Sequence, residues 1–134
     1  MFQMTEEERI ALGAQITTKE ILQQPQIWSE TFDLFVSQEE ALESFFKEII
    51  ESANGNKVRV IFTGSGTSEY VGNSICPYLQ LAGDRLHFRF ESIATTDLVA
   101  APQYYFFDDE PTLLVSFARS GNSPESVSFN HYLC

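Results

Sequence analysis

Positive charge is what this sequence has least of. Eight Lys and Arg stand against 19 Asp and Glu, a formal net charge of −11. A nucleic-acid partner requires a basic footprint and an anionic membrane surface attracts the same, so neither is expected. Any phosphate site must work by a local field against an unfavourable global one. No run of ~18 apolar residues is present, so no transmembrane helix is expected. The N-terminus, MFQMTEEER, is acidic and lacks the basic and apolar regions of a signal peptide. The two cysteines, Cys76 and Cys134, have no metal-like or redox spacing. Cys76 reads as a buried apolar thiol, which fits a reducing cytoplasm. The two histidines, His87 in a strand and His131 in the tail, read as structural, and no metal or cofactor is expected. Five prolines in a chain of 134 residues that is 43% hydrophobic argue against disorder and allow one domain with a real core.

The N-terminal third reads as helix. Thr5 and Glu8 have capping-box spacing. Thr17 or Thr18 can cap TKEILQQ, which Pro25 ends or offsets. A third helix carries Ile27, Trp28, Phe32, Leu34 and Phe35. A fourth, Gln38–Ser52, stops at Asn54-Gly55-Asn56. The aromatic stripe along these helices reads as core or interface. Residues 1–56 therefore form an N-terminal helical segment.

From Lys57 to Cys134 the pattern alternates. Val58–Thr63 is a nearly continuous β-prone run, as in a strand buried on both faces of a parallel sheet. A helix follows from about Thr67 to Ala82, with Pro77 as a kink or break, and Gly83-Asp84 turns the chain. Leu86–Glu91 is the second strand. Thr95 or Thr96 caps a short helix over Asp97–Ala100. PQYYFFDDEP is an aromatic loop used for packing. Thr112–Phe117 is the third strand, and a helix starts near Ser123-Pro124, with proline at its favoured first position. Strand, helix, strand, helix, strand with glycine turns predicts an α/β fold with a doubly wound parallel sheet. Ligands in such sheets bind outside the carboxyl ends of the strands.

Two stretches fall at such ends, VRVIFTGSGTS (58–68) and LLVSFARSGNSPES (113–126). Gly64 and Gly66 permit a tight turn and close approach of a ligand. Thr67 and Ser68 stand where free N–H groups and the helix dipole favour an anion. Ser68, Ser120 and Ser123 offer hydroxyl donors suited to a compact oxyanion, and Arg119 a planar cationic fork. Each loop alone reads equally as turn and cap chemistry, but two such loops at two strand ends favour one shared phosphate-bearing ligand. Arg119 also suits a surface ion pair, and Asn122 a turn. Glu125 fits a first helical turn, where a carboxylate suits the dipole, or an acid/base role. A rival reading is dinucleotide binding: Gly64-Ser65-Gly66 begins a GxGxxG pattern, and Glu91 would contact ribose. It puts Glu69 at the third glycine position and leaves the second loop unexplained.

The two loops, TGSGTS and SFARSGNSPES, resemble the phosphosugar-binding loops of the SIS (sugar isomerase) domain. TKEILQQPQIW and ESIATTDLVAAPQYYF resemble the tagatose-6-phosphate ketose/aldose isomerase branch, also described as galactosamine-6-phosphate deaminase/isomerases. The resemblance runs from about Thr17 to Val127. It implies a flavodoxin-like five-stranded sheet, sites near a subunit interface of a homo-oligomer, and a hexose or hexosamine 6-phosphate substrate. It implies that the hydroxyls of Ser68, Ser120 and Ser123 hold the phosphate with Arg119 beside them; Gly66, Thr67 and Asn122 are expected to complete the phosphate-binding loops. Ala118 replaces a serine that many relatives carry. The implied reaction is aldose–ketose isomerisation, with deamination of 2-amino sugars, and needs a base between C1 and C2 and an acid near the ring oxygen. A non-catalytic phosphosugar sensor is the alternative. By this resemblance residues 57–134 are the N-terminal half of an SIS domain, truncated after the third strand. The expectations are an inactive truncated or frame-shifted product that lacks the family's base, and a strand order 2-1-3 that leaves strand three as an apolar edge for a partner chain.

Overall fold

The computed structural model describes residues 2–122 together with Pro124, Val127 and Ser128. The sequence expectations for Ser123, Glu125, His131 and Cys134 lie outside the described residues. The chain divides into two compact units, Met1–Phe45 and Phe46–Cys134, with the division inside a helix.

The first unit begins with α1, Glu6–Ala11, which starts as the sequence predicts. The Glu8 N–H donates to Thr5 Oγ1 (3.2 Å), and the Thr5 N–H donates to Glu8 Oε2 (2.8 Å). Helix α2, Gln15–Ser37, departs from expectation in two ways. Ala14, not Thr17 or Thr18, occupies the cap position, and Thr18 is buried inside the helix with its hydroxyl donating to Ala14 O at 2.7 Å. The helix has already begun at Gln15, so both threonines lie within its first turn, where a threonine hydroxyl turns to the carbonyl one turn back and not to the N–H groups of the helix start. Pro25 also fails to interrupt: α2 runs through it as one helix. Proline removes a single N–H, and on an exposed helix water can take up the freed Ile21 carbonyl. The aromatic stripe is not core within this chain, since Trp28, Phe32 and Phe35 are each more than half exposed. Helix α3, Glu39–Ser52, crosses into the second unit and ends at Asn54 and Gly55, both left-handed (φ 51° and 85°).

The second unit is a three-stranded parallel sheet in the order β2-β1-β3. The central strand β1, Val58–Gly64, is buried at every position, as its apolar run predicts. Helix α4, Glu69–Ala82, follows a single 3-10 turn at Gly66–Ser68 and continues unbroken through Pro77. Strand β2, Phe88–Ala94, sits later than the predicted Leu86–Glu91. Its Arg89 and Glu91 interrupt the apolar pattern while pairing with β1, and His87 falls in the preceding turn against Asp84 (2.6 Å). Helix α5, Thr95–Ala100, has Ala94 at its cap position instead of Thr95 or Thr96. Strand β3, Thr112–Phe117, matches its predicted bounds and pairs with β1 from Arg59↔Thr112 to Gly64↔Phe117. The order 2-1-3 expected from the sequence is therefore the order found, with β3 at an edge of this sheet.

The two faces of β1 serve different layers. Val60 and Phe62 pack with Cys76, Ile75 and Leu79 of α4 and with Phe90 and Val115. Gly72 is what lets α4 come so close: a Cβ there would lie 2.9 Å from Phe62 Cβ and 2.7 Å from Ser92 Oγ. Burying side chains of this size stabilises the fold by about 1.5–3 kcal/mol each. On the opposite face Ile61 packs with Leu98 and Val99 of α5, and with Tyr105 and Phe106 from the aromatic loop, which serves packing as expected.

That second face is graded along its length. At the amino end, Arg59 is buried and donates through Nη2 to Glu91 (2.7 Å), and through Nη1 to Glu110 (3.5 Å) and the Tyr105 carbonyl. Arg89 completes the network, with Nε 2.8 Å from Glu91 and Nη2 2.6 Å from Glu110. Apolar residues fill the middle. At the carboxyl end the buried hydroxyls of Thr63 and Thr95 lie 3.0 Å apart.

Candidate functional site at the carboxyl end of the sheet

Because β1 and β3 are direct neighbours, the loops that leave them are neighbours too. They enclose a cleft of about 540 Å³ lined by Ser65, Thr67, Ser68 and Val71 on one side and by Phe117, Ala118, Arg119, Ser120 and Gly121 on the other. Of the residues singled out from the sequence, the structure brings Thr67, Ser68, Arg119 and Ser120 together on this cleft. Gly66 and Asn122 do not line it.

The first loop is shaped by two glycines with different tasks. Gly66 has φ +58° and takes the left-handed conformation that opens the turn. Gly64 lies directly beneath the next turn: a Cβ there would lie 2.4 Å from the Ser68 carbonyl carbon and 2.6 Å from the Glu69 nitrogen. The turn thus closes on the strand end and aims α4 at the cleft. Ser68 occupies the α4 cap position without making a side-chain cap bond, and its hydroxyl has no partner among the described residues. The Ser68 N–H donates to the Ser65 carbonyl at 3.3 Å and the Glu69 N–H donates to the Gly66 and Thr67 carbonyls, so the 3-10 turn takes up the first donors of the helix start. Glu69, in the first turn, accepts from Asn73 Nδ2 at 3.3 Å along its own helix.

The second loop turns at Gly121 (φ +67°), and the Asn122 N–H donates weakly to Ser120 Oγ at 3.4 Å. Asn122 therefore acts through its backbone as a turn former. Ala118 lines the cleft without a polar group, and Arg119 is the one cation in the described lining. That lining includes neither a carboxylate nor an imidazole.

The dinucleotide reading loses its ribose contact. Glu91 lies in mid-strand opposite Ile61, three residues before the end of β2, and both of its neighbouring arginines bond it. Burial alone would raise its carboxyl, but the hydrogen bonds and charge of Arg59, with Arg89 beside it, outweigh burial and hold it below the usual carboxylate range. Cys76 behaves as the buried thiol expected: burial, then the Glu91 charge, push it up and away from reactivity. Sequence reading misses Arg59 altogether, because a lone arginine inside VRVIF looks like noise in an apolar run. Among the described residues no three His, Cys, Asp or Glu side chains gather as a metal site, and no helix is long and apolar enough to cross a membrane.

Most of the chain is similar to AgaS-type proteins named as galactosamine-6-phosphate deaminases, and to structures named as tagatose-6-phosphate ketose/aldose isomerases. It is 45% identical over 84% of its length to a Streptomyces coelicolor protein assigned as D-galactosamine-6-phosphate deaminase AgaS. It is 35% identical over 93% of its length to D-galactosamine-6-phosphate deaminase AgaS of a Shewanella species. It spans only 28% and 31% of those two proteins. A Clostridium novyi structure assigned as tagatose-6-phosphate ketose/aldose isomerase superposes on 87% of this chain with a TM-score of 0.76 and 46% identity, and the match covers 28% of that structure. The Escherichia coli tagatose-6-phosphate ketose/aldose isomerase gives a TM-score of 0.73 and 36% identity over 86% of this chain and 30% of its own. No protein-family profile matches the chain.

Proposed function

We propose that the cleft between the two loops holds the phosphate of a hexose or hexosamine 6-phosphate, and that the chain is the phosphate-binding part of an isomerase or deaminase of amino- and keto-sugar phosphates. The observation that carries this reading is the convergence of two Ser/Gly loops, from adjacent parallel strands, on one cleft with a single arginine in its described lining. The hydroxyls of Thr67, Ser68 and Ser120 and the Arg119 guanidinium are all donors, at the positive end of the α4 dipole. A phosphate dianion needs donors on several sides, and a protein of net charge −11 supplies them here without a carboxylate in the described lining. Gly66 and Asn122 support the loops through their backbones, and Ser123 joins the phosphate shell by family resemblance. The names of the relatives support the substrate class, since each acts on or is assigned to a hexose or hexosamine 6-phosphate.

A second reading is binding without turnover. It is favoured by the absence of a carboxylate or imidazole from the described lining, which leaves no group there to move a proton between C1 and C2. Thermal unfolding with and without galactosamine 6-phosphate tests the site, with inorganic phosphate and NAD as controls. Ligand at about 100 times its dissociation constant adds about 2.7 kcal/mol. A raised midpoint with the sugar phosphate, lost in Ser68→Ala and in Ser120→Ala and absent with NAD, supports the site. No shift at saturating sugar phosphate refutes it. A coupled assay for ammonia release and ketose formation separates turnover from binding alone.

A further inference from the structure

We infer that Thr95, acting through Thr63, is a positioning residue that fixes the direction of the first cleft loop. This rests on the phosphate reading above only for its functional consequence. Thr63 is 1% exposed and Thr95 3% exposed, and their hydroxyl oxygens are 3.0 Å apart. Thr63 immediately precedes Gly64, the residue against which the Ser68 carbonyl closes. Thr95 immediately follows Ala94, which is paired with Gly64 across the sheet. The bond therefore ties the root of the first loop to the first residue of α5, where it leaves β2, across the carboxyl end of two strands.

The pair is poorly explained as a stabilising device. Two hydroxyls carry two protons, and one bond between them uses one. Neither oxygen has another partner among the described residues, so one donor is left unspent at a buried position. Replacing both members of such a pair by apolar groups of the same shape is nearly neutral for stability. What valines cannot reproduce is the angular restraint. Two methyl groups slide past each other, whereas a hydroxyl pair holds the strand end at a set twist just where the loop departs.

The test uses Thr95→Val, Thr63→Val, the double variant and Thr95→Ser. Three quantities are read for each: the amide resonances of Gly66, Thr67 and Ser68, the affinity for inorganic phosphate, and the urea midpoint. Thr95→Val is expected to move the loop amides, though none is adjacent to the substitution, to weaken phosphate at least five-fold, and to lower the midpoint by stranding the Thr63 hydroxyl, a loss the double variant recovers. Thr63→Val should do the same, the double variant should do no worse, and Thr95→Ser should restore the loop amides and the affinity. Unmoved loop amides in Thr95→Val overturn the inference, as does a loss of stability that Thr95→Ser does not repair. If the unaltered chain binds no phosphate, the phosphate reading fails, and the amide resonances alone still decide the role of Thr95.

Discussion

Replacing Arg59 is the most severe single change the charge network allows, and its effect can be worked out in advance. Arg59 Nη2 and Nη1 meet Glu91 and Glu110 from a side chain only 7% exposed, while the two carboxylates are 29% and 26% exposed. Arg59→Met keeps the stem and removes the charge, leaving both carboxylates facing Arg89 alone. Breaking a buried pair from one side costs about 3–5 kcal/mol. Arg89 remains, and water reaches a quarter of each carboxylate, so about 2–4 kcal/mol is expected here. That is a large share of a domain stability of roughly 5–15 kcal/mol. The unfilled bond of the Tyr105 carbonyl adds to the loss, while Arg59 Nε, which has no partner among the described residues, is removed with the side chain and offsets part of it. Urea unfolding at neutral pH measures the total. The pH dependence gives a second handle. The Glu91 carboxyl is held below its usual range in the folded state, so its contribution is present in full above the unfolded value and is lost as pH falls through the folded one. Acid should therefore weaken the unaltered chain more steeply than Arg59→Met. A variant within about 0.5 kcal/mol of the unaltered chain, with the same acid slope, would show that the network carries no net stability and would refute the reasoning.

Other expectations follow from single contacts. Gly64→Ala forces a Cβ against the backbone of Ser68 and Glu69, and it should cost about 1–3 kcal/mol and abolish sugar-phosphate binding, read by the same thermal shift. Ser92→Ala removes a buried hydroxyl that has no partner among the described residues, so it should leave the urea midpoint unchanged or raise stability by up to about 1 kcal/mol. Thr5→Ala breaks the reciprocal cap of α1 and should lower helix content by circular dichroism, at about 1 kcal/mol. Trp28, 67% exposed in this chain, should emit as a solvated indole and be quenched freely by acrylamide, and a protected, blue-shifted indole would mean that something covers α2.

What can be read from the sequence, and what cannot, follows from which forces are local. Strands β1 and β3 are legible because an apolar run flanked by turns has few other fates. The first loop is legible because Gly64 and Gly66 stand where side chains are forbidden, one by contact and one by φ. The bounds of the second strand are not, because Arg89 and Glu91 look like surface residues until Arg59 and Glu110 are brought beside them from distant parts of the chain. Pro25 looks like a breaker because a missing N–H is visible in sequence, whereas the solvation that tolerates it is not. Thr18 and Thr95 look like caps for a related reason. A threonine before a helical run has the right oxygen, but Thr18 turns it one turn back onto Ala14 and Thr95 meets Thr63 from another strand.

The pairing of β1 directly with β3 has a consequence for synthesis. The register sets Ile61 against Leu114, so the two walls of the cleft come from segments about fifty residues apart. Closing a loop of that length is the slow, late kind of contact. On a ribosome adding about 5–20 residues per second, the first wall waits several seconds for the second. Through that interval β1 has at most β2 beside it, itself made about thirty residues later, and its β3-facing edge can pair with whatever strand arrives first.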